Sequence, residues 1–116
     1  MSKKFDLLSK KIDRKLDPDD IMLDIMEIYN ETELTPEAGK HYTFVYSPKT
    51  SDIIYDEYPL VAVFSVERWG FKALNYHWGA MRNYTWVEIS GSLHIIPNED
   101  IGKLRAVPYR NFKTSL

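Results

Sequence analysis

Three histidines are the side chains of this chain best suited to metal binding or to proton transfer near neutral pH. A metal site needs two of them at helical i, i+4 spacing or across a strand pair, with a carboxylate nearby. His41, His77 and His94 are too far apart in the chain for such a local motif. His77 closes a predicted strand beside Trp78, where we expect a hydrogen-bonded structural histidine. The sequence therefore predicts neither a metal site nor a cofactor.

Carboxylate pairs, serines and thiols offer the other common routes to catalysis. The acidic residues cluster at 17–20 and 56–57, where helix capping and loop solvation account for them. No serine lies in a G-x-S-x-G elbow, the five glycines form no phosphate-binding loop, and cysteine is absent. We therefore expect a protein that is not an enzyme and has no small-molecule substrate. A small enzyme with a discontinuous site stays open as the third of three functional hypotheses.

Aromatic side chains interleaved with cations indicate binding rather than catalysis. Exposed aromatic rings among cations are how OB-like domains stack bases and hold a phosphate backbone. Large aromatic side chains serve protein interfaces and cores equally well. The candidate contact residues in this stretch are Arg68, Trp69, Lys72, Tyr76, Trp78 and Arg82.

The segment after Pro108 offers a second set of candidate contacts. It carries Tyr109, Arg110, Phe112 and Lys113 and no acidic residue. A short tail without a period of its own frays unless contacts offset its ordering entropy. Its two aromatic side chains are more than a solvated tail needs. We therefore expect them to dock, either on the edge of the domain's own sheet or on a partner.

Composition and charge restrict the class of protein. The chain has 116 residues, of which 44% are hydrophobic and 28% charged, which is ordinary for one globular domain. No apolar run approaches the length of a signal peptide or a membrane span, so we expect synthesis in the cytoplasm and no membrane contact. The net charge of −2 is the sum of +4 for residues 1–16, −9 for 17–58 and +3 for 59–116. Such segregation can orient neighbouring molecules in an assembly.

Two helices are predicted before any strand. Apolar residues recur about once per helical turn at Phe5, Leu8, Ile12 and Leu16. This pattern predicts an amphipathic helix over 3–16. Asp17 is then the expected N-cap of a second helix over about 18–31, with Pro18 as its first residue.

Strands are predicted from His41, where the apolar period changes to two. Residues 47–58 read as a polar loop, and 59–66 as a strand buried on both faces. A four-residue hairpin loop ending at Gly70 leads to a partner strand over 71–77.

The last third of the chain mixes short helices with one strand. A capping box at 85–88 predicts a short helix that Gly91 ends. A final strand through 93–96 follows, and Asn98 is the expected cap of a last helix that stops at Pro108.

The predicted fold class is α+β, with two N-terminal helices followed by a small twisted antiparallel sheet or an SH3- or OB-like half-barrel and short C-terminal helices. We expect one domain over 1–116. It divides into a helical segment at 1–34, a β-rich core at 41–107 and a C-terminal tail at 108–116.

Part of the chain resembles small proteins of tailed bacteriophages. The segments that carry the resemblance are YPLV at 58–61, GFKALNYHW at 70–78, RNYTWVE at 82–88 and VPYRNFKTS at 107–115. The first two are also similar to a block in the DNA end-protector proteins of contractile-tailed phages. The resemblance spans roughly 42–115 and rests on structural motifs, so it carries over no active-site residue.

The resemblance implies a structural subunit of the virion, in the neck, tail or baseplate, that contacts other virion proteins. This is the first functional hypothesis, and it places the protein in the particle after synthesis in the host cytoplasm. A DNA-binding or DNA-end-protecting packaging protein is the second hypothesis, and it would use the cations and aromatics named above.

Overall fold

The computed structural model describes residues 3–13, 15–49 and 53–114. The helices are α1 (Lys3–Ile12), α2 (Pro18–Ile28) and α3 (Ile101–Arg105). The strands are β1 (Thr32–Glu33), β2 (His41–Tyr46), β3 (Ile54–Asp56), β4 (Leu60–Val66), β5 (Gly70–Asn75), β6 (Ala80–Thr85), β7 (Ile89–Ile96) and β8 (Phe112–Thr114). The predicted α+β class, with two helices leading into an antiparallel sheet, is confirmed. None of the helices within these described ranges is long and apolar enough to span a membrane.

The start of α2 follows the prediction, whereas the end of α1 does not. The Asp17 carboxylate accepts a hydrogen bond from the Asp19 N–H at 2.9 Å, and Pro18 is the first helical residue. The predicted helix through Leu16 is wrong in its last part, because α1 ends at Ile12. Helical backbone is disfavoured at Asp17 because Pro18 follows it, so the chain must leave the first helix before α2 begins. Arg14, within the predicted helix, lies outside the described residues.

Six strands form the main sheet in the order β1-β7-β2-β4-β5-β6, and every neighbouring pair is antiparallel. Strands β2, β4, β5 and β6 make a meander, and β7 returns beside β2. This order fits the SH3-like alternative better than the Greek-key arrangement of an OB-fold. The 3-10 turn Trp86–Glu88 carries the chain from the edge strand β6 back to β7.

The main sheet is strongly curled. Phe44 on β2 and Tyr84 on β6 lie three strands apart, which is about 14 Å in a flat sheet. Their ring centroids are only 5.3 Å apart, and those of Tyr46 and Tyr84 are 4.9 Å apart. The curled sheet therefore encloses an inner core on its concave face. The buried residues of that core are Tyr42, Phe44, Tyr46, Val61, Val63, Phe71, Ala73, Tyr84 and Leu93.

The outer face of the sheet carries the helices. Residues of α1, α2 and α3 pack there on apolar side chains of β4 and β7, and the chain after α3 joins them. The buried residues of this outer core are Leu8, Ile21, Met22, Ile25, Tyr29, Tyr58, Leu60, Ile96, Ile101, Leu104, Val107 and Tyr109. Two layers of core thus sandwich the strands that are central to the sheet.

Three short strands, β1, β3 and β8, occur where the sequence predicts none. The predicted loop 47–58 contains β3, and the predicted tail 108–116 contains β8, which pairs with β3 in a separate two-stranded sheet. Strands β3 and β8 are each too short to show a period, and besides pairing with each other they are held by contacts from distant parts of the chain, such as Tyr46 on Tyr55 and Trp78 on Phe112. Residues 50–52 and 115–116 of these two segments lie outside the described part of the chain.

The 85–88 segment is a single 3-10 turn, and the predicted capping box does not form. The Thr85 hydroxyl donates to the Glu88 carboxylate and leaves the backbone of the turn uncapped. Glu88 also accepts from the Lys49 N–H at 2.7 Å and from the Tyr46 hydroxyl at 3.2 Å. Burial alone raises the pKa of the Glu88 carboxyl, but these hydrogen bonds outweigh burial and bring the pKa below its ordinary value. Glu88 thus ties the turn to the end of β2.

Gly91 was expected to end a helix, but it lies inside β7 with φ of 78°. The predicted capping of a last helix by Asn98 is wrong as well, since Asn98 opens a 3-10 turn without a side-chain cap. Strand β6 was not predicted, and β5 ends at Asn75 rather than at His77. In β4 only the first half is buried on both faces, because Phe64 is exposed.

The hairpin between β4 and β5 confirms the predicted loop, and its contact with β6 explains why position 70 is a glycine. The Glu67 N–H donates to the Gly70 carbonyl at 2.8 Å, which closes the loop. Gly70 pairs with Thr85 on β6, and the two backbones approach closely. A Cβ atom at Gly70 would lie 1.8 Å from the Tyr84 carbonyl oxygen.

Replacing Gly70 by alanine is therefore expected to lower the free energy of unfolding by about 2–4 kcal/mol, because backbone atoms of β6 must move. Urea denaturation measures the change. Gly102→Ala is the matched control, since a Cβ there meets nothing within 4 Å, and alanine in a helix is expected to gain about 0.5–1 kcal/mol. Equal stabilities for the two variants would contradict the close approach.

Candidate interaction surfaces

A buried hydrogen-bond network joins β3 to the turn after β5. The Nδ1 atom of His77 donates to the Asp56 carboxylate at 2.9 Å, and the two side chains are 1% and 2% exposed. The other oxygen of Asp56 accepts from the Tyr58 N–H at 3.0 Å. The prediction that His77 is a hydrogen-bonded structural residue is confirmed.

Asn75 shapes the turn that carries His77. Its side-chain oxygen accepts from the His77 N–H at 2.9 Å and the Trp78 N–H at 3.0 Å. Its amide group donates to the Tyr84 hydroxyl at 3.1 Å. A side-chain oxygen that bonds to the backbone two and three residues later is the mechanism of an Asx turn. Asn75 thereby directs His77 inward and leaves Trp78 near the surface.

An imidazole oriented by a carboxylate is also the arrangement of a catalytic base. In this chain the Nε2 atom of His77 is buried, and the ring packs edge-on against Tyr109 with centroids 5.1 Å apart. His94 donates to the Tyr29 carbonyl at 2.7 Å, and His41 contacts the Tyr76 hydroxyl at 3.0 Å. The three histidines therefore do not converge on one site. Within the described ranges, no three His, Asp or Glu residues are grouped so as to hold a metal ion.

Three arginines surround the turn at 76–79, and each lies over an aromatic ring. The guanidinium carbon of Arg82 is 4.2 Å from the Trp78 ring centroid. Arg105 lies 5.3 Å from the Tyr76 ring, and Arg110 lies 5.3 Å from the Phe112 ring. The Trp78 and Phe112 rings are themselves 5.2 Å apart. We call Arg82, Arg105 and Arg110 the arginine surface.

The arginine surface is not neutralised by carboxylates. Among the residues that the structure describes, ion pairs are formed by lysines and His77, and none is formed by an arginine. Lys113, for example, lies 3.2 Å from Glu57. A guanidinium over an aromatic ring still has N–H donors for phosphate or carboxylate oxygens. Arg82 uses one such donor on the Ile54 carbonyl at 3.3 Å.

The tail residues divide between core and surface. Tyr109 is fully buried in the outer core, so it docks on the chain's own domain and not on a partner, but in the core and not on the expected sheet edge. Burial raises the pKa of its hydroxyl far above the ordinary value. Phe112 is 41% exposed and Arg110 is exposed, whereas Lys113 pairs with Glu57.

Of the other predicted contact residues, only Tyr76 borders the arginine surface, where its ring lies under Arg105. Arg68 and Trp69 occupy the hairpin loop before β5, whereas Trp78 follows β5, so a six-residue strand of about 20 Å separates them. Lys72 projects from the middle of β5 and is exposed. Tyr76 is half-buried against His41. The single contact surface predicted from Arg68 to Arg82 is therefore split in two.

A second surface lies on the outer face of β5, β6 and the later part of β4, which the helices leave uncovered. Ala62, Leu74 and Met81 are paired in register across the three strands. A bulge between Val63 and Ser65 turns Phe64 outward beside them. Phe64 is 70% exposed and Met81 is 51% exposed. We call Phe64, Leu74, Met81 and the neighbouring Lys72 the sheet patch.

The sequence did not identify the sheet patch. The run at 59–66 is apolar at odd and even positions alike, so it did not show which face would stay uncovered. The role of Arg105 was also missed, because its position near a helix end was sufficient to explain a cation there. An apolar row across three strands becomes visible only when the pairing is known.

No protein-family model, curated protein or solved structure matches the chain.

Asp56→Ala is expected to lower the free energy of unfolding by about 3–5 kcal/mol, since it leaves the buried donors of His77 and Tyr58 without their acceptor. Urea denaturation measures the loss. Glu67→Ala removes an exposed carboxylate from the hairpin loop and should change stability by no more than about 0.5 kcal/mol. A loss at Asp56 as small as that of the control would show that the buried network does not hold the fold together.

Proposed function

We propose that the protein is a structural subunit of a tailed-phage particle, in its neck, tail or baseplate, and that it acts through protein–protein contacts. The observation that carries the proposal is the sheet patch. The chain's own helices cover one part of the outer sheet face, and another part presents Phe64 and Met81 to solvent. The resemblance of four segments to small phage proteins supplies the kind of assembly.

The composition of the sheet patch favours a protein partner. Burying a phenylalanine or methionine side chain contributes about 1.5–3 kcal/mol, and such residues are enriched at interface centres. Lys72 and Asn83, which are paired in register, provide a polar rim. Exposed apolar side chains that neighbour one another on a sheet mark interaction sites more often than isolated ones do.

The strands of the sheet patch are also anchored on the inner core. Phe71, Ala73 and Tyr84 of the same strands point into the inner core and are buried there. Aromatic contacts in the inner core hold these strands in place; the ring centroids of Phe71 and Tyr84, for example, are 5.4 Å apart. A preformed surface loses little conformational entropy on association, which favours a permanent structural contact.

The first test is incorporation into particles. We expect the protein in purified particles of the encoding phage, and we expect a Phe64→Ser, Met81→Ser double variant to fold but be lost from them, because the interface centre is gone. Mass spectrometry of the particles measures this. Val87→Ser is the matched control, since Val87 is 75% exposed but lies on the 3-10 turn outside the patch. Absence of the unmodified protein from mature particles, or normal incorporation of the double variant, would contradict the proposal.

A second candidate function, DNA binding, is favoured by the arginine surface. Its three guanidinium groups have no carboxylate partner among the described residues and surround a single turn. Base stacking is less favoured, because the Trp78 ring already contacts Arg82 and Phe112. The geometry therefore supports binding to the phosphate backbone more than to bases.

Each of the single variants Arg82→Gln, Arg105→Gln and Arg110→Gln should bind duplex DNA more weakly than the unmodified protein. Each should also reduce the slope of log affinity against log salt by about one. Fluorescence anisotropy at several salt concentrations measures both effects. Arg68→Gln removes the same charge at the other end of β5 and should leave the slope nearly unchanged. If the unmodified protein does not bind even at about 50 mM salt, or if Arg68→Gln acts like the others, the arginine surface is not a DNA site.

A further inference from the structure

An apolar groove lies on the helical side of the molecule. It has a volume of about 240 Å³ and lies between α2 and the sheet. Its lining residues are Asp19, Met22, Leu23, Met26, Val45 and Tyr58. Leu23 at its rim is 60% exposed. We call this the helix groove, and methionine side chains on its walls can adapt to an inserted ring.

The helix groove and the sheet patch carry opposite charge. Asp19 and Asp20 are exposed in the first turn of α2, and neither forms an ion pair with a described residue, although Glu57 and, to a smaller extent, Asp19 raise the pKa of Lys113. The charged side chain of the sheet patch is Lys72, which likewise has no carboxylate partner in the described ranges. An apolar groove with an acidic rim thus matches an apolar patch with a basic rim.

The two surfaces do not overlap, so one molecule can use both at once. Tyr58 of the helix groove precedes β4, whereas Phe64 of the sheet patch lies near its other end. Six residues of extended chain separate them by about 20 Å. Contacts between two different surfaces of identical molecules are heterologous, and they build a closed ring or an open filament.

We propose that the protein assembles head to tail with copies of itself. The sheet patch of one molecule docks in the helix groove of the next, with Phe64 inserted among the methionines and Lys72 facing Asp19 and Asp20. This inference rests on the proposed structural role and names the partner as a second copy of the chain. Open-ended or ring-shaped assembly follows from the geometry of two unlike surfaces.

Light scattering coupled to size-exclusion chromatography tests the assembly. The unmodified protein should form oligomers whose mass rises with concentration until a ring closes. Phe64→Asp, which disables the patch, and Leu23→Asp, which disables the groove, should each be monomeric. Both residues are exposed, so circular dichroism should show unchanged folding.

Mixing the two variants separates a head-to-tail contact from a symmetric one. The intact patch of Leu23→Asp can dock in the intact groove of Phe64→Asp, but the resulting pair has no further complementary surfaces. We therefore expect a dimer of one copy of each variant and nothing larger. A monomeric unmodified protein, oligomers that survive either substitution, or a mixture that stays monomeric would each overturn the proposal.

A charge exchange provides an independent check on the same contact. Lys72→Glu alone should weaken assembly by about tenfold or more, and adding Asp19→Lys and Asp20→Lys in the same chain should restore it. Failure of the exchange to restore assembly overturns the proposed pairing. If the unmodified chain is monomeric but the Phe64→Ser, Met81→Ser variant is still lost from particles, the result contradicts self-assembly but supports the structural role. If that variant is incorporated normally, the result contradicts the proposed function itself.

Discussion

The buried carboxylate of Asp56 is the point at which separate parts of the chain are joined. A carboxylate removed from water is costly unless donors surround it, and Asp56 receives them from His77 and from the Tyr58 backbone. The same residue ends β3, which pairs with β8 of the tail. Tyr109 closes the site by packing against His77. The loop after β2, the turn after β5 and the tail are thus mutually dependent, and the arginine surface exists because they meet.

The helical layer decides which part of the sheet is free to act. It covers the outer face over β7, β2 and the start of β4, where Leu60 and Ile96 are buried. It does not reach β6, so Met81 and Phe64 remain in contact with water. Aromatic rings fill the inner core beneath the exposed strands and hold them in place, although none of the described residues covers their outer face. The aromatic inner core therefore stabilises the whole sheet, while the helices cover only part of its outer face.

Much of the secondary structure could be predicted because its causes are local. Asp17 and Pro18 start α2 through a side-chain bond and a fixed backbone angle, both within one turn. The alternation from Tyr42 to Tyr46 reflects the two faces of one strand. The loop at Gly70 was also predictable, since a short connection between two apolar runs implies a hairpin. For these elements, neighbouring residues contain all of the information that is needed.

The candidate surfaces could not be predicted in full, because their members meet only through long-range pairing. Sequence analysis named Trp78, Arg82, Arg110 and Phe112, but β8 pairing and the turn at Asn75 are what bring them together. Composition by itself determined that the chain has aromatics and cations to bind with, and local spacing determined its helices and most strands. Only the tertiary structure decided that Tyr109 is core and Phe64 is surface, because burial depends on which layer covers a face and not on the residue's own neighbours.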